Sequence, residues 1–148
     1  MPEVTGSPEI TEPNTEIVEQ FRANAGRVGG YFDGSTMVLM HHVGRKSRKH
    51  FVSPAIYLPD PADDRTIYVF ATKGGAPDNP AWYHNLVEAG EAEVEVGTER
   101  YLVSVAEVTG AERDRIYAEQ AAKQSNFAEY EQKTVGIRTI PVLALTRK

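Results

Sequence analysis

The sequence contains no cysteine, which excludes disulfides, thiolate metal sites and a cysteine nucleophile. It also has no apolar run close to the roughly 18 residues that a membrane-spanning helix requires. The N-terminal segment is acidic and lacks the apolar stretch of a signal peptide. These absences predict a cytoplasmic protein, and they leave open a peripheral membrane contact through the N-terminal helix.

Positive charge is outnumbered by negative charge, with 16 Lys and Arg residues against 21 Asp and Glu residues. The chain has 148 residues and a net charge of −5, which predicts no binding to nucleic acid. The basic residues Arg45, Lys46, Arg48 and Lys49 nevertheless lie close together in the sequence. This cluster favours a local anionic partner, and the alternative is a solvated hairpin tip that binds nothing.

Side chains for metal or acid–base chemistry are also few. His41 and His42 are adjacent, so on a strand they would face opposite sides of the sheet and could not share one ion. No serine lies in a G-x-S-x-G elbow. Carboxylates cluster in a predicted turn at Asp63 and on a predicted solvent face that includes Glu95. We therefore predict no metal site, and an enzymatic function would need a bound cofactor for the difficult step.

The most informative stretch is FATKGGAPDNPAWYHNL, residues 70–86. Asn79 is a good N-cap residue, and the proline that follows it suits the first helical position. Gly74 and Gly75 can adopt positive φ and bring backbone N–H groups towards a ligand, and Lys73 adds a positive charge. The stretch predicts an anion site at a helix N-terminus, with aromatic side chains one turn further on. The alternative is an ordinary strand–loop–helix with its aromatics in the core.

Hydrophobic periodicity predicts four helices and six strands. The helices are expected at residues 14–25, 80–89, 109–124 and 125–132, and the strands at 35–42, 51–58, 66–72, 93–96, 100–108 and 139–145. Short turns between strands favour antiparallel pairing, an α+β class and closure into a small barrel. Pro54 indicates a sheet edge or a bulge, and Thr109 with Glu112 forms a potential capping box. Residues 1–13 are predicted to be a disordered tail, and residues 14–148 one cofactor-binding domain.

Five motifs occur in a fixed order: GRKS at 44–47, Ser53-Pro54, ATKGGA at 71–76, NPAWYHNL at 79–86 and RTIPV at 138–142. Together they resemble the deazaflavin-dependent nitroreductase family, the F420-dependent split-barrel reductases of actinobacteria. The resemblance covers residues 35–146. It implies a split β-barrel and, as cofactor, coenzyme F420, an 8-hydroxy-5-deazaflavin with a phosphate and an oligoglutamate tail.

The resemblance also implies roles for individual residues. The anionic tail of the cofactor would meet Arg45, Lys46, Ser47 and Lys73. Its ring and ribityl chain would be lined by Phe51, Val52, Ser53, Pro54, Ala55, Ile56, Ala71, Thr72, Ala81, Trp82, Tyr83, His84 and Asn85. Phe127 and Tyr130 would lie over the substrate, and Tyr130 or Thr72 would be the catalytic hydrogen-bond donor.

The implied reaction is hydride transfer from reduced F420 to a small electron-poor acceptor such as a quinone, an enone or a nitroaromatic. Three departures from the family pattern stand out: Arg48 replaces a common glycine, Phe51 replaces a common basic residue, and Ile56 replaces a tyrosine of some relatives. The alternatives are an FMN-dependent reductase on the same barrel, a non-catalytic F420-binding protein and a lipid-surface protein. The expected oligomeric state is a monomer or a homodimer.

Overall fold

A closed barrel of six antiparallel strands forms the centre of the molecule, in the order β1-β2-β3-β6-β5-β4. The computed structural model describes residues 14–32 and 34–148, so the predicted tail lies outside the described residues. The strands are β1 (Met37–Val43), β2 (His50–Pro59), β3 (Thr66–Phe70), β4 (Glu91–Val96), β5 (Glu99–Val108) and β6 (Val142–Arg147). The predicted fold class, an antiparallel split barrel, is confirmed.

Strand formation follows from β-branched and aromatic residues. All five residues of β3, TIYVF, are buried, as are the first six of β1. The barrel interior is an apolar cluster in which Val38, Val69 and Leu143 are fully inaccessible to solvent. Burial of these side chains is the main source of the free energy that closes the barrel.

In the described ranges four α-helices cover the barrel: α1 (Asn14–Ala23), α2 (Ala81–Ala89), α3 (Gly110–Lys123) and α4 (Asn126–Thr134). Helix α1 buries Val18 and Phe21 against β1 and β2. Helices α3 and α4 bury Ile116, Tyr117 and Phe127 against the end of the barrel formed by β3 and β6. No helix in the described ranges is both long and apolar enough to cross a membrane.

The barrel is split along β2. Residues 50–56 of β2 pair with β1, but only Tyr57, Leu58 and Pro59 pair with β3. The first half of β2 therefore has one unpaired edge, and Pro54 lies there, as the sequence predicts. This edge faces the segment between β3 and α2, where the cavity described below opens.

Two predicted helix-capping interactions do not form. Helix α2 begins at Ala81 with Pro80 as its N-cap, because the Asn79 side chain instead accepts a hydrogen bond from Arg138. Thr109 does occupy the N-cap position of α3, but its side chain makes no capping hydrogen bond. Gly110, the first residue of that helix, has φ +66°, which departs from the helical geometry that a capping box needs.

Candidate functional site

A cavity of about 880 Å³ opens between the unpaired edge of β2, the loop after β3 and helices α2 and α4. Its volume falls within the range of small-molecule sites, which is about 300 to 1,000 Å³. The lining residues are Asn14, Phe32, His42, Phe51, Ser53, Pro54, Ala55, Ile56, Phe70, Thr72, Lys73, Gly74, Pro80, Ala81, Trp82, Asn85, Asn126, Phe127 and Tyr130. Aromatic and aliphatic walls, interspersed with polar side chains such as those of Ser53, Thr72 and Lys73, suit a flat organic ligand that also carries polar groups.

Twelve of the predicted site residues line this cavity: Phe51, Ser53, Pro54, Ala55, Ile56, Thr72, Lys73, Ala81, Trp82, Asn85, Phe127 and Tyr130. The structure thus brings together segments from β2, the 71–76 loop, α2 and α4. The two predicted catalytic residues, Thr72 and Tyr130, both belong to this set.

Other predicted site residues lie away from the cavity walls. Val52 and Ala71 are buried in the protein core. Tyr83 donates a hydrogen bond of 2.6 Å to Glu107 on β5, and the ring of His84 packs against that of Tyr83 with centroids 5.0 Å apart. Arg45, Lys46 and Ser47 form the hairpin turn between β1 and β2.

Several lining residues were not among the predicted site residues, most notably His42, Phe32 and Asn126. For His42 the sequence carried a partial signal. Adjacent strand residues face opposite sides of a sheet, so only one of His41 and His42 can face the cavity, but the pattern does not say which. Asn126 lies one helical turn before Tyr130 and donates a 3.1 Å hydrogen bond to its hydroxyl oxygen. Phe32 belongs to a short 3-10 turn, Gly30–Phe32, that follows α1.

The loop after β3 has the unusual backbone that its glycines predict. Lys73, Gly74 and Gly75 have φ values of +47°, +64° and +85°. A Cβ atom on Gly75 would lie 2.8 Å from Cδ of Lys133 on α4, so the loop and α4 are in close contact. Lys73 pairs with Asp78 at 2.9 Å, and this hydrogen bond lowers the pKa of the Asp78 carboxyl.

A chain of hydrogen bonds joins the hairpin turn to the cavity. The backbone N–H of Arg45 donates to Oδ1 of Asn85 at 3.3 Å, and Nδ2 of Asn85 lies 2.9 Å from Nδ1 of His42. Nε2 of His42 lies 2.8 Å from Oγ of Ser53. Burial lowers the pKa of His42 to about 4, with nearby His50 and His41 adding to the effect. His42 is therefore neutral near pH 7.

His41 faces the other side of β1, as predicted, and joins a separate network. Its Nε2 lies 2.7 Å from Glu95, which also accepts two hydrogen bonds from Arg22 of α1. Burial raises the pKa of Glu95, but the hydrogen bonds from Arg22 and His41 outweigh it and hold the pKa below its ordinary value. The prediction that Glu95 lies on a solvent face is wrong, because it anchors α1 to the barrel. Within the described ranges, no group of three or more potential ligands could hold a metal ion.

A protein-family model described as F420H(2)-dependent quinone reductase matches residues 14–147. An F420H(2)-dependent quinone reductase of Mycobacterium tuberculosis is 30% identical over 132 residues, which cover 86% of this chain and 85% of the relative.

Among solved structures, one titled F420-H2 dependent reductase (FDR-A) has a TM-score of 0.64 and 28% identity, covering 74% of this chain and 93% of its own. A structure described as a domain-swapped dimer has a TM-score of 0.65 and 26% identity, covering 89% of this chain and 93% of its own. The haem storage protein HutZ of Vibrio cholerae, at 10% identity and a TM-score of 0.56, shares the fold alone.

Proposed function

This chain belongs to the family of F420H(2)-dependent quinone reductases, and we propose that it transfers a hydride from reduced F420 to a quinone. Family membership makes it an oxidoreductase whose cofactor is coenzyme F420. The acceptor and the residues that bind each substrate are our proposal. The observation that carries it is the 880 Å³ cavity, whose lining combines apolar walls with the cationic side chain of Lys73.

The chemistry of the cavity fits the parts of F420. Trp82, Pro54 and Phe127 offer flat apolar surface for a tricyclic ring. Ser53 and Thr72 offer hydroxyl groups for its polar edge and for the ribityl chain. The cationic side chains Lys73, Arg45 and Lys46 suit the phosphate and the carboxylates of the tail.

In this proposal the protein provides position, exclusion of water and hydrogen bonds, while bound reduced F420 supplies the hydride from C5 of its ring. The apolar walls remove water from around the reacting groups, which strengthens every polar interaction there. Tyr130 and Thr72 are the proposed donors to the acceptor oxygen that gains negative charge. Solvent then supplies the proton, so the reduction needs no dedicated general acid.

The walls beyond the proposed ring site favour a quinone among the acceptors considered. Ile56, Phe127 and Phe32 are apolar, and Tyr130 lines the same cavity with its hydroxyl beside Asn126. A quinone is flat and largely apolar and has carbonyl oxygens that accept hydrogen bonds, so it matches this lining.

Helix α1 bears on the predicted membrane contact. Its Val18 and Phe21 are only 1% and 2% exposed, because they pack against the barrel. The apolar face of the helix is therefore engaged inside the protein and gives no support to a membrane contact. Flotation of the purified protein with anionic liposomes tests the contact directly.

The function is tested in two steps. Fluorescence titrations with F420 and with FMN measure the preference for the cofactor. Anaerobic oxidation of reduced F420 is then followed with a naphthoquinone, an enone and a nitroaromatic as acceptors. We expect tight F420 binding, weak FMN binding and the highest kcat/KM for the naphthoquinone. F420 binding without turnover of any acceptor would indicate a carrier protein, and equal turnover of the nitroaromatic would refute the quinone preference.

A further inference from the structure

We infer that His42 is a positioning residue, which directs the hydroxyl hydrogen of Ser53 into the cavity so that Ser53 donates a hydrogen bond to bound F420. The inference rests on the proposed function, because it concerns the same cavity. It adds a residue that the sequence motifs do not include.

A backbone N–H group of the hairpin turn between β1 and β2 determines the orientation of the Asn85 side-chain amide. The backbone N–H of Arg45 can only donate, so the Asn85 atom that it contacts at 3.3 Å is the oxygen, Oδ1. The amide nitrogen Nδ2 consequently points towards His42, 2.9 Å from Nδ1. Asn85 is 7% exposed, so solvent offers its side chain little alternative pairing.

The amide then fixes the tautomer of His42. Because Nδ2 of Asn85 donates, Nδ1 of His42 accepts, and a neutral imidazole that accepts at Nδ1 carries its hydrogen on Nε2. That Nε2–H donates to Oγ of Ser53 over 2.8 Å. Since Oγ accepts this bond, the hydroxyl hydrogen of Ser53 points away from His42. Ser53 lines the cavity, and within the described ranges its hydroxyl has no other hydrogen-bond partner.

The surroundings of His42 keep the ring neutral. It is 8% exposed and stacks on Phe51 with ring centroids 5.6 Å apart. The titratable groups near it are His41 on the same strand and His50 on β2, both of which disfavour a positive charge there. A second proton on Nδ1 would also confront the amide N–H of Asn85. The donor at Nε2 is therefore preserved near pH 7.

The test is a double-mutant cycle that measures the dissociation constant of F420 by fluorescence titration. His42→Phe preserves a ring for stacking on Phe51 but removes both nitrogens, and Ser53→Ala removes the hydroxyl. We expect each single variant to weaken F420 binding by up to roughly tenfold, the usual range for one hydrogen bond. The double variant should lose no more than the weaker-binding single variant, because both changes remove the same hydrogen bond.

A matched control uses Ser104, an exposed serine on β5 that is not among the cavity-lining residues. Ser104→Ala should leave the F420 dissociation constant unchanged, alone and combined with His42→Phe. His42→Gln, whose amide N–H can reach Ser53, should retain more affinity than His42→Phe. Additive losses for His42 and Ser53, unchanged binding by a folded His42→Phe, or the reverse order of the two His42 variants would each overturn the inference.

The tautomer is checked without cofactor by nitrogen NMR of the imidazole groups. We expect His42 to be protonated at Nε2 alone throughout the neutral range, and an Nδ1–H tautomer would overturn the inference. Failure of the wild-type protein to bind F420 would contradict the proposed function instead. The two ideas can therefore fail separately.

Discussion

Nη1 of Arg138 donates a hydrogen bond of 2.7 Å to Oδ1 of Asn79, across 59 residues of sequence. The same guanidinium donates to the carbonyl oxygens of Ala71, Thr72 and Ala76, at 3.1, 2.9 and 2.9 Å. One side chain thus holds both ends of the loop that carries Lys73. Arg138 shapes the cavity without belonging to its wall.

We expect Arg138→Lys to lower the free energy of unfolding by about 2 kcal/mol, because a compact ammonium group cannot reach four acceptors in a planar fork. The F420 dissociation constant should rise as well, since the loop loses its fixed conformation. Urea denaturation and fluorescence titration measure the two effects. Arg115→Lys is the matched control: Arg115 makes an exposed 3.3 Å pair with Glu119, and its change should stay within about 0.5 kcal/mol. Equal stability of the two variants would contradict this role of Arg138.

The sequence predicted the strands and the loop well, for local reasons. The β-branched composition of β3 and the paired glycines at 74 and 75 determine their backbone conformation within a few residues. The role of Arg138 could not be predicted in this way, although Arg138 is the first residue of the RTIPV motif. Its four acceptors lie 59 to 67 residues earlier in the chain and meet it only in the folded protein. The same long-range bond withdrew Asn79 from the cap that local sequence predicts.

His42 illustrates a second limit of sequence reasoning. Alternation along β1 correctly separates it from His41, but the pattern does not say which of the two rings meets the cavity. That depends on the packing of α2, which places Asn85 beside His42, and of α1, which places Arg22 above Glu95 beside His41. The two adjacent histidines thus belong to different hydrogen-bond networks, because helices α1 and α2 pack on opposite sides of β1 only in the folded protein.

Arg48 provides a test of backbone strain. Its φ of +61° is the left-handed conformation, which glycine adopts at little cost and other residues do not. We expect Arg48→Gly to raise the free energy of unfolding by about 1 kcal/mol relative to Arg48→Ala, which removes the same charge but retains the strain. Urea denaturation of the two variants measures the difference. Equal stabilities would show that the turn relaxes without strain.

The ion pair of Lys73 and Asp78 should reduce the affinity for the anionic cofactor, because Asp78 competes for the ammonium group at 2.9 Å. We expect Lys73→Ala and Lys46→Ala to weaken F420 binding by about threefold to tenfold, and Asp78→Asn to strengthen it. All three effects should shrink as salt is added. Lys148→Ala at the opposite end of the barrel is the charge-matched control and should have no effect. Weaker binding by Asp78→Asn would exclude this competition.

Tyr130 is the predicted donor to the acceptor, so its hydroxyl should matter for turnover more than for cofactor binding. We expect Tyr130→Phe to lower kcat by about tenfold to a hundredfold, the effect of losing one donor to a developing charge. The F420 dissociation constant should change by less than about twofold. Tyr101→Phe, on β5 and not among the cavity-lining residues, controls for loss of a phenol hydroxyl. Undiminished turnover by Tyr130→Phe would remove this hydroxyl from the mechanism.

His42 should also make stability depend on pH. Its pKa is lowered to about 4 in the folded protein, against 6.5 for an unperturbed histidine, so the unfolded chain binds more protons between these values. Stability is therefore lost as the pH falls through this window. From pH 7 to about pH 5, His42 should contribute a loss of about 2 kcal/mol.

The measurement compares urea denaturation of wild type and His42→Phe at both pH values. Groups such as His50 and Glu95, whose pKa values are also lowered, are present in both proteins, so their contributions cancel in the difference. The variant should lose less stability on acidification than the wild type, whatever its stability at pH 7. His42→Gln, which also lacks an imidazole, should behave like His42→Phe. Parallel losses in wild type and both variants would mean that His42 accepts a proton in the folded protein as readily as in the unfolded chain.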